Sequence, residues 1–114
     1  MKSDNNNFYE KSDNPIITTI IPSYNCQKTI SSSVRSVQYQ NCTNIEIIIV
    51  DDFSTDKSRE IIRNIQLKDK RLVMIENKKN MGTLYSRCIG ALLSKGEYIF
   101  CLDNDDLFFD EDES

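Results

Sequence analysis

A chain of 114 residues and 13.2 kDa has room for one small domain, since a single hydrophobic core serves roughly 50 to 200 residues. Hydrophobic residues at 39%, charged residues at 28%, and only three Gly and two Pro describe a folded globular chain and exclude disordered, collagen-like and repeat classes. The net charge of -4 is uneven, because Asp103 to Glu113 holds seven of the eighteen acids and no base. With a pI near 4.8 and no basic stripe interleaved with aromatics, the chain lacks the phosphate-neutralising face that nucleic-acid binding requires. It has no His, so His triads and His-ligated zinc are excluded within it and acid–base chemistry falls to carboxylates.

Residues 1–14 are polar, Asn- and Ser-rich and without periodicity, which predicts a mobile lead-in, with Pro15 marking the entrance to the folded domain. Four apolar runs follow, Ile16 to Ile21, Ile45 to Val50, Leu72 to Ile75 and Tyr98 to Leu102, and each predicts a strand. Ile47 to Val50 does not alternate, as expected of a strand covered on both faces. Between the runs lie helical stripes: Ile30, Val34 and Val37; Ile61, Ile62 and Ile65; and Leu84, Cys88, Ala91 and Leu92. Ser54, Thr55 and Asp56 offer N-cap oxygens to the second helix, and Gly96 suits the residue just past the third. The four cysteines lack CxxC spacing, and Cys88 and Cys101 sit in apolar runs, which predicts free thiols, a reducing compartment and a cytoplasmic location. No run reaches the roughly 18 apolar residues of a membrane span.

The runs start 29, 27 and 26 residues apart, the length of a strand plus a crossover helix. The expected fold is therefore β-α-β-α-β-α-β, a Rossmann-like three-layer α/β/α domain over residues 15–109 with an acidic tail at 110–114. If strand four pairs on the free side of strand one, an assumption that gives the order 3-2-1-4, right-handed crossovers put the first two helices on one face and the third on the other. The order reverses between strands one and four, and an open α/β sheet binds ligands at such a point.

At the carboxyl ends of the strands stand PSYN (Pro22 to Asn25), DDFS (Asp51 to Ser54) and DNDD (Asp103 to Asp106). Five carboxylates on one edge repel, at about 4 kcal/mol per pair at contact distance and intermediate dielectric, so they predict a cation or raised carboxyl pKa values. A divalent ion such as Mg²⁺ or Mn²⁺, which keeps waters and takes further ligands from substrate phosphates, implies a diphosphate substrate.

The strings TTIIPSYNCQKTISSSVRSV, EIIIVDDFSTDKS and NMGTLYSRCIGALLSKGEYIFCLDNDD resemble the nucleotide-sugar-binding half of family-2 glycosyltransferases of the GT-A fold, over about residues 16–109. The resemblance implies a donor that is a nucleotide-diphosphate sugar, a divalent metal (Mn or Mg), an acceptor of glycan, lipid or protein class, and inversion at the anomeric centre. By position, Pro22 and Tyr24 match the loop lining the nucleoside, with Tyr24 a ring to stack on the base. Asp52 matches the base-reading carboxylate, which accepts the uracil N–H and implies a UDP-sugar. Asp103 and Asp105 match the DxD motif, with Asp105 the direct metal ligand and Asp103 facing the ribose or a metal-bound water, and Asp106 supports them. Arg87 matches an arginine on the third helix that orients the DxD loop or faces phosphate. The chain departs from the family in having Phe53 where Gly is common and Cys88 where Asn is common. The family's later general base has no counterpart, which predicts a truncated product able at most to bind nucleotide.

Plainer readings stand beside these. Asp51 and Asp52 also suit a turn, Tyr24 a cavity rim, Arg87 a surface ion pair, and Cys26 and Cys88 simple packing. An alternative function is a receiver-type phosphoacceptor in which Asp51 and Asp52 hold Mg²⁺ beside Asp103, although a receiver needs further strands. A dinucleotide-binding reading fails for want of GxGxxG after the first strand, an EF-hand because Phe108 stands where its glycine belongs, and a haloacid-dehalogenase-type phosphatase for want of later motifs.

Overall fold

The computed structural model describes residues 14–40 and 44–103. Seven elements follow in strict alternation: β1 (Ile17–Ser23), α1 (Ile30–Gln38), β2 (Ile45–Asp51), α2 (Ser58–Lys68), β3 (Leu72–Glu76), α3 (Thr83–Leu93) and β4 (Tyr98–Cys101). All strand pairs are parallel, and the sheet order is β3-β2-β1-β4. Fold class and strand order are those expected from the sequence. The lead-in at 1–13, Cys42, Asp105, Asp106 and the acidic tail lie outside the described residues.

β2 explains why an unbroken run of Ile and Val reads as a central parallel strand, since all seven of its residues are buried. Successive side chains leave a strand on opposite faces, so Ile47 and Ile49 enter one apolar cluster and Ile48 and Val50 the other. The first cluster holds Ile30, Val34 and Val37 of α1 with Ile62 of α2, and Ile61 and Ile65 pack at its margin. Each fully buried Ile here contributes about 1.5–3 kcal/mol relative to solvent exposure. α3 lies on the opposite face, where Gly90 meets Ile20 so closely that a Cβ would stand 2.7 Å from Ile20 Cγ2. Where α2 ends, Asp69 and Arg71 form a fully buried pair, with Arg71 Nη2 donating to Asp69 Oδ2 at 2.9 Å and Gln38 Nε2 donating to the same oxygen at 2.9 Å.

Several expectations need correction. The stripe Leu84, Cys88, Ala91 and Leu92 faces outward, with Leu84 and Leu92 74% and 80% exposed; α3 buries Ser86 and Gly90 instead. Small residues bring this helix close to the sheet, so its contact face carries little apolar bulk. β4 is exposed along its whole length, Cys101 with it; Cys88 on α3 is an exposed free thiol as well, and among the described cysteines Cys26 is the buried one. α2 begins at Ser58 after Lys57 with no side-chain bond from the capping residue; Asp56 Oδ1 accepts the Ser58 N–H at 2.9 Å, and Ser54 and Thr55 serve the neighbouring loop. Gly96 does not follow α3 directly, since the helix ends at Leu93 with Ser94 as cap. Its small size is needed because a Cβ would stand 2.6 Å from the Thr18 backbone nitrogen. Among the described residues, no helix is long and apolar enough to cross a membrane.

Candidate functional site

The carboxyl end of β1 is held to that of β2 by main chain and side chain together. Asp52 N–H donates to Ser23 O at 2.8 Å. Asn25 turns the chain with φ of 49°, a left-handed conformation that Asn tolerates better than most residues. From there its Oδ1 accepts the N–H groups of Thr55 and Asp56 at 2.8 and 3.3 Å, while its own N–H donates to Ser54 Oγ at 2.9 Å. Gln27 continues the seam, receiving Lys57 N–H at 3.0 Å and donating its own to Asp56 Oδ2 at 3.2 Å. The seam fixes the loop that presents Tyr24, which is 49% exposed.

Asp51 and Asp52 are adjacent in sequence and separate in role, because consecutive residues at a strand end face opposite sides. Asp51 is fully buried. Its carboxylate accepts Arg59 Nε at 2.7 Å, the Ser54 N–H and hydroxyl at 2.9 and 2.6 Å, and the Ser23 hydroxyl at 3.1 Å. Asp52 instead reaches toward the β3–α3 loop. Its Oδ1 accepts Met81 N–H at 2.7 Å and Asn77 Nδ2 at 2.9 Å, and its Oδ2 accepts Gly82 N–H at 2.9 Å. Burial pushes the Asp52 carboxyl up, but the Met81, Asn77 and Gly82 hydrogen bonds outweigh it and hold the group below the ordinary carboxylate value. Gly82 adopts φ of 97°, a conformation that suits glycine, and this brings its N–H to Asp52.

The third acid, Asp103, follows β4. Arg87 Nη2 of α3 donates to its Oδ1 at 2.7 Å. The buried Arg87 Nε has no partner among the described residues. The described carboxylates are thus balanced by Arg59, by backbone and amide N–H groups and by Arg87, so the repulsion expected between bare strand-end acids is absent among them. Asp51, Asp52 and Asp103 do not form a three-carboxylate metal centre, and no group of three metal-ligating side chains occurs among the described residues. The receiver-type alternative finds no support in this arrangement.

A cavity of about 400 Å³ opens between the ends of β1 and β4, lined by Pro22, Ser23, Tyr24, Asp52, Thr83, Ser86, Arg87 and Asp103. Five of the six residues singled out from the sequence line it; the sixth, Asp105, is outside the described residues. Sequence reading placed Ser23 in the PSYN segment without a role and missed Thr83, Ser86 and Asn77, the last of which joins Asp52 to Ser86 through bonds of 2.9 and 3.1 Å. A search confined to charged groups passes over such hydroxyls and amides, although their place beside strand ends and at the start of α3 is visible in the sequence. Phe53 has φ of 67°, so the position where the family commonly carries Gly is left-handed here, and the ring lies 5.7 Å from the Arg59 guanidinium carbon.

Residues 18–112 match the family model described as "Glycosyl transferase family 2". The chain belongs to that family. This family-2 chain is 44% identical over 92 residues to an uncharacterised glycosyltransferase of Haemophilus influenzae, covering 81% of the chain and 37% of the relative. It is 43% identical over 91 residues to the Escherichia coli UDP-Glc:alpha-D-GlcNAc-diphosphoundecaprenol beta-1,3-glucosyltransferase WfaP, covering 80% and 36% respectively. The crystal structure of Staphylococcus aureus TarS 1-349 in complex with UDP-GlcNAc superposes with a TM-score of 0.76 at 28% identity, over 81% of the family-2 chain and 27% of TarS. The chain thus spans about a third of the length of the curated relatives it matches.

Proposed function

We propose that the cavity binds the nucleotide part of a nucleotide-diphosphate sugar, a UDP-sugar, and that the whole family-2 protein transfers that sugar to an acceptor of glycan, lipid or protein class, with residues 15–109 as its donor-binding domain in the cytoplasm. The observation that carries this reading is the meeting of Pro22, Tyr24, Asp52, Arg87 and Asp103 around one cavity at the point where the strand order reverses. Membership of the family and likeness to the UDP-GlcNAc-bound TarS structure support it.

Each residue has a task that its surroundings suit. Tyr24, half exposed on the rim, offers a face for the base. Asp52, kept ionised by its N–H donors, accepts a ring N–H from the base. Arg87 holds Asp103 through one nitrogen, and its side chain is 40% exposed, so the rest of its guanidinium offers donors suited to a diphosphate oxygen.

Of the two DxD acids, Asp103 is the one among the described residues; it lines the cavity, and one of its oxygens is held by Arg87. That suits an ion such as Mn²⁺ or Mg²⁺ that keeps most of its waters and needs one or two protein carboxylates, which Asp103 and Asp105 would supply. When bound, such an ion screens the negative charge that develops on a leaving diphosphate. None of the residues in this reading acts as general base on the acceptor hydroxyl.

Calorimetric titration with UDP, with and without Mn²⁺, tests the proposal. Binding that strengthens with the metal and weakens in Asp105→Ala is expected. Equal affinity in EDTA refutes the metal assignment, and no binding under either condition refutes the nucleotide site.

A further inference from the structure

A carboxylate has about four acceptor sites, two on each oxygen. In Asp52 three are filled, both sites of Oδ1 by Met81 N–H and Asn77 Nδ2 and one site of Oδ2 by Gly82 N–H. Among the described residues one acceptor site therefore remains, and it is on Oδ2. Two of the three donors are main-chain groups set by the β3–α3 loop, so Asn77 is the one donor that a side-chain substitution removes. Its own placement is firm. Asn77 is 8% exposed, its N–H donates to Asp51 O at 2.8 Å, its carbonyl accepts Arg59 Nη2 at 3.0 Å, and its Nδ2 also donates to Ser86 Oγ at 3.1 Å.

We propose that Asn77 is a specificity-determining residue that limits the site to a base presenting a single N–H donor, by filling the second acceptor site of Asp52 Oδ1. This inference rests on the nucleotide reading above. Uracil presents one ring N–H between two carbonyls, which one open site on Oδ2 satisfies. Guanine presents a ring N–H and an exocyclic amine side by side, and this pair matches a carboxylate only when both oxygens can accept. With Oδ1 filled, one of those donors is buried without a partner, a loss that discriminates strongly between ligands of similar shape. Held in the pose that gives uracil its hydrogen bond, cytosine turns an unprotonated ring nitrogen toward the carboxylate, so two acceptors face each other whatever residue stands at position 77.

Titrations of the chain with UDP, GDP and CDP in the presence of Mn²⁺, repeated on Asn77→Ala and Asn77→Val, test the assignment. The unsubstituted chain is expected to prefer UDP over GDP by about tenfold or more, equivalent to ~1.4 kcal/mol. Both variants are expected to bring GDP within about threefold of UDP while CDP stays weakest. Asn77→Val keeps similar bulk without a donor, so agreement between the two variants separates the lost hydrogen bond from a lost packing contact, and a circular-dichroism melt of each identifies a variant that has not folded. A folded variant that keeps the original UDP-to-GDP ratio overturns the inference. So does an unsubstituted chain that binds UDP and GDP equally, in which case the nucleotide site itself stands. Failure of the unsubstituted chain to bind any of the three overturns the nucleotide reading and this inference with it.

Discussion

Replacing Phe53 by glycine should leave the domain more stable than replacing it by alanine, the reverse of the usual ranking for these two residues. Phe53 sits at φ of 67°, where a residue with a Cβ crowds the following carbonyl at a cost of about 1–2 kcal/mol. Its ring offsets part of that through Arg59, whose guanidinium carbon is 5.7 Å from the ring centroid; at this half-exposed position such a contact contributes about 0.5–1 kcal/mol. Phe53→Ala loses the ring and keeps the strain. Phe53→Gly loses the ring and releases the strain, against a backbone-entropy cost of about 0.5–1 kcal/mol. Glycine is therefore expected to exceed alanine by about 0.5–1 kcal/mol, with Phe53→Gly close to the unsubstituted chain. For a domain of this size the difference corresponds to a melting shift of roughly 2–8 °C. Urea unfolding of the three proteins, with midpoints compared at constant slope, measures it. An alanine variant at least as stable as the glycine variant would falsify the strain assignment.

Other outcomes follow from buried contacts and charges. Asp69→Ala leaves the 2%-exposed Arg71 guanidinium without its carboxylate and is expected to destabilise by about 3–5 kcal/mol, read by the same urea unfolding. Gly96→Ala drives a Cβ into the Thr18 backbone and is expected to cost at least ~2 kcal/mol, whereas an unchanged midpoint contradicts the close approach. At Asp52, Asp56 and Asp69 burial pushes the carboxyl up, but hydrogen bonds, joined at Asp69 by the Arg71 charge, hold all three below 3.8. Their contribution to stability is full above pH 3.8 and disappears as pH falls through the lower folded values. Unfolding midpoints measured from pH 6 downward should drop steeply below pH 3.8, and less steeply in Asp52→Asn. In iodoacetamide labelling followed by mass mapping, Cys88 and Cys101 should react in the folded chain. Cys26, buried and with its thiol pushed up by that burial, should react only after unfolding.

The sheet is legible in the sequence because its central strands are buried on both faces, and four consecutive apolar β-branched residues, Ile47 to Val50, leave no polar side for water to cover. The same pattern misleads on α3 and β4. Apolar composition reports a preference for burial, and Leu84, Leu92, Ile99 and Phe100 have that preference while standing in solvent among the described residues. The contact side of α3 is made by Ser86 and Gly90, which no hydropathy pattern marks. At the cavity, acidic and aromatic residues after strands stand out as candidates from their position alone. The division of labour between Asp51 and Asp52 is implicit in the two-residue period of a strand, which turns neighbouring side chains to opposite faces. The partners of Asp52 are hidden because two of them are backbone N–H groups, whose direction depends on the φ of Gly82 and on the path of the β3–α3 loop.

The middle position of β1 also bears on the order of assembly. Its partner on one side arrives within one crossover, whereas on the other side Gly96 N–H meets Thr18 Oγ1 across 78 residues. Closing so long a loop is entropically unfavourable until many contacts repay it. On a ribosome, β1, β2 and β3 can join before β4 is synthesised, and among the described elements the wall that carries Asp103 is the latest to be put in place. Most of the hydrophobic interior can therefore form before the cavity does, with Leu102 joining it only alongside β4, and slowing the docking of β4 would delay ligand binding more than it delays collapse.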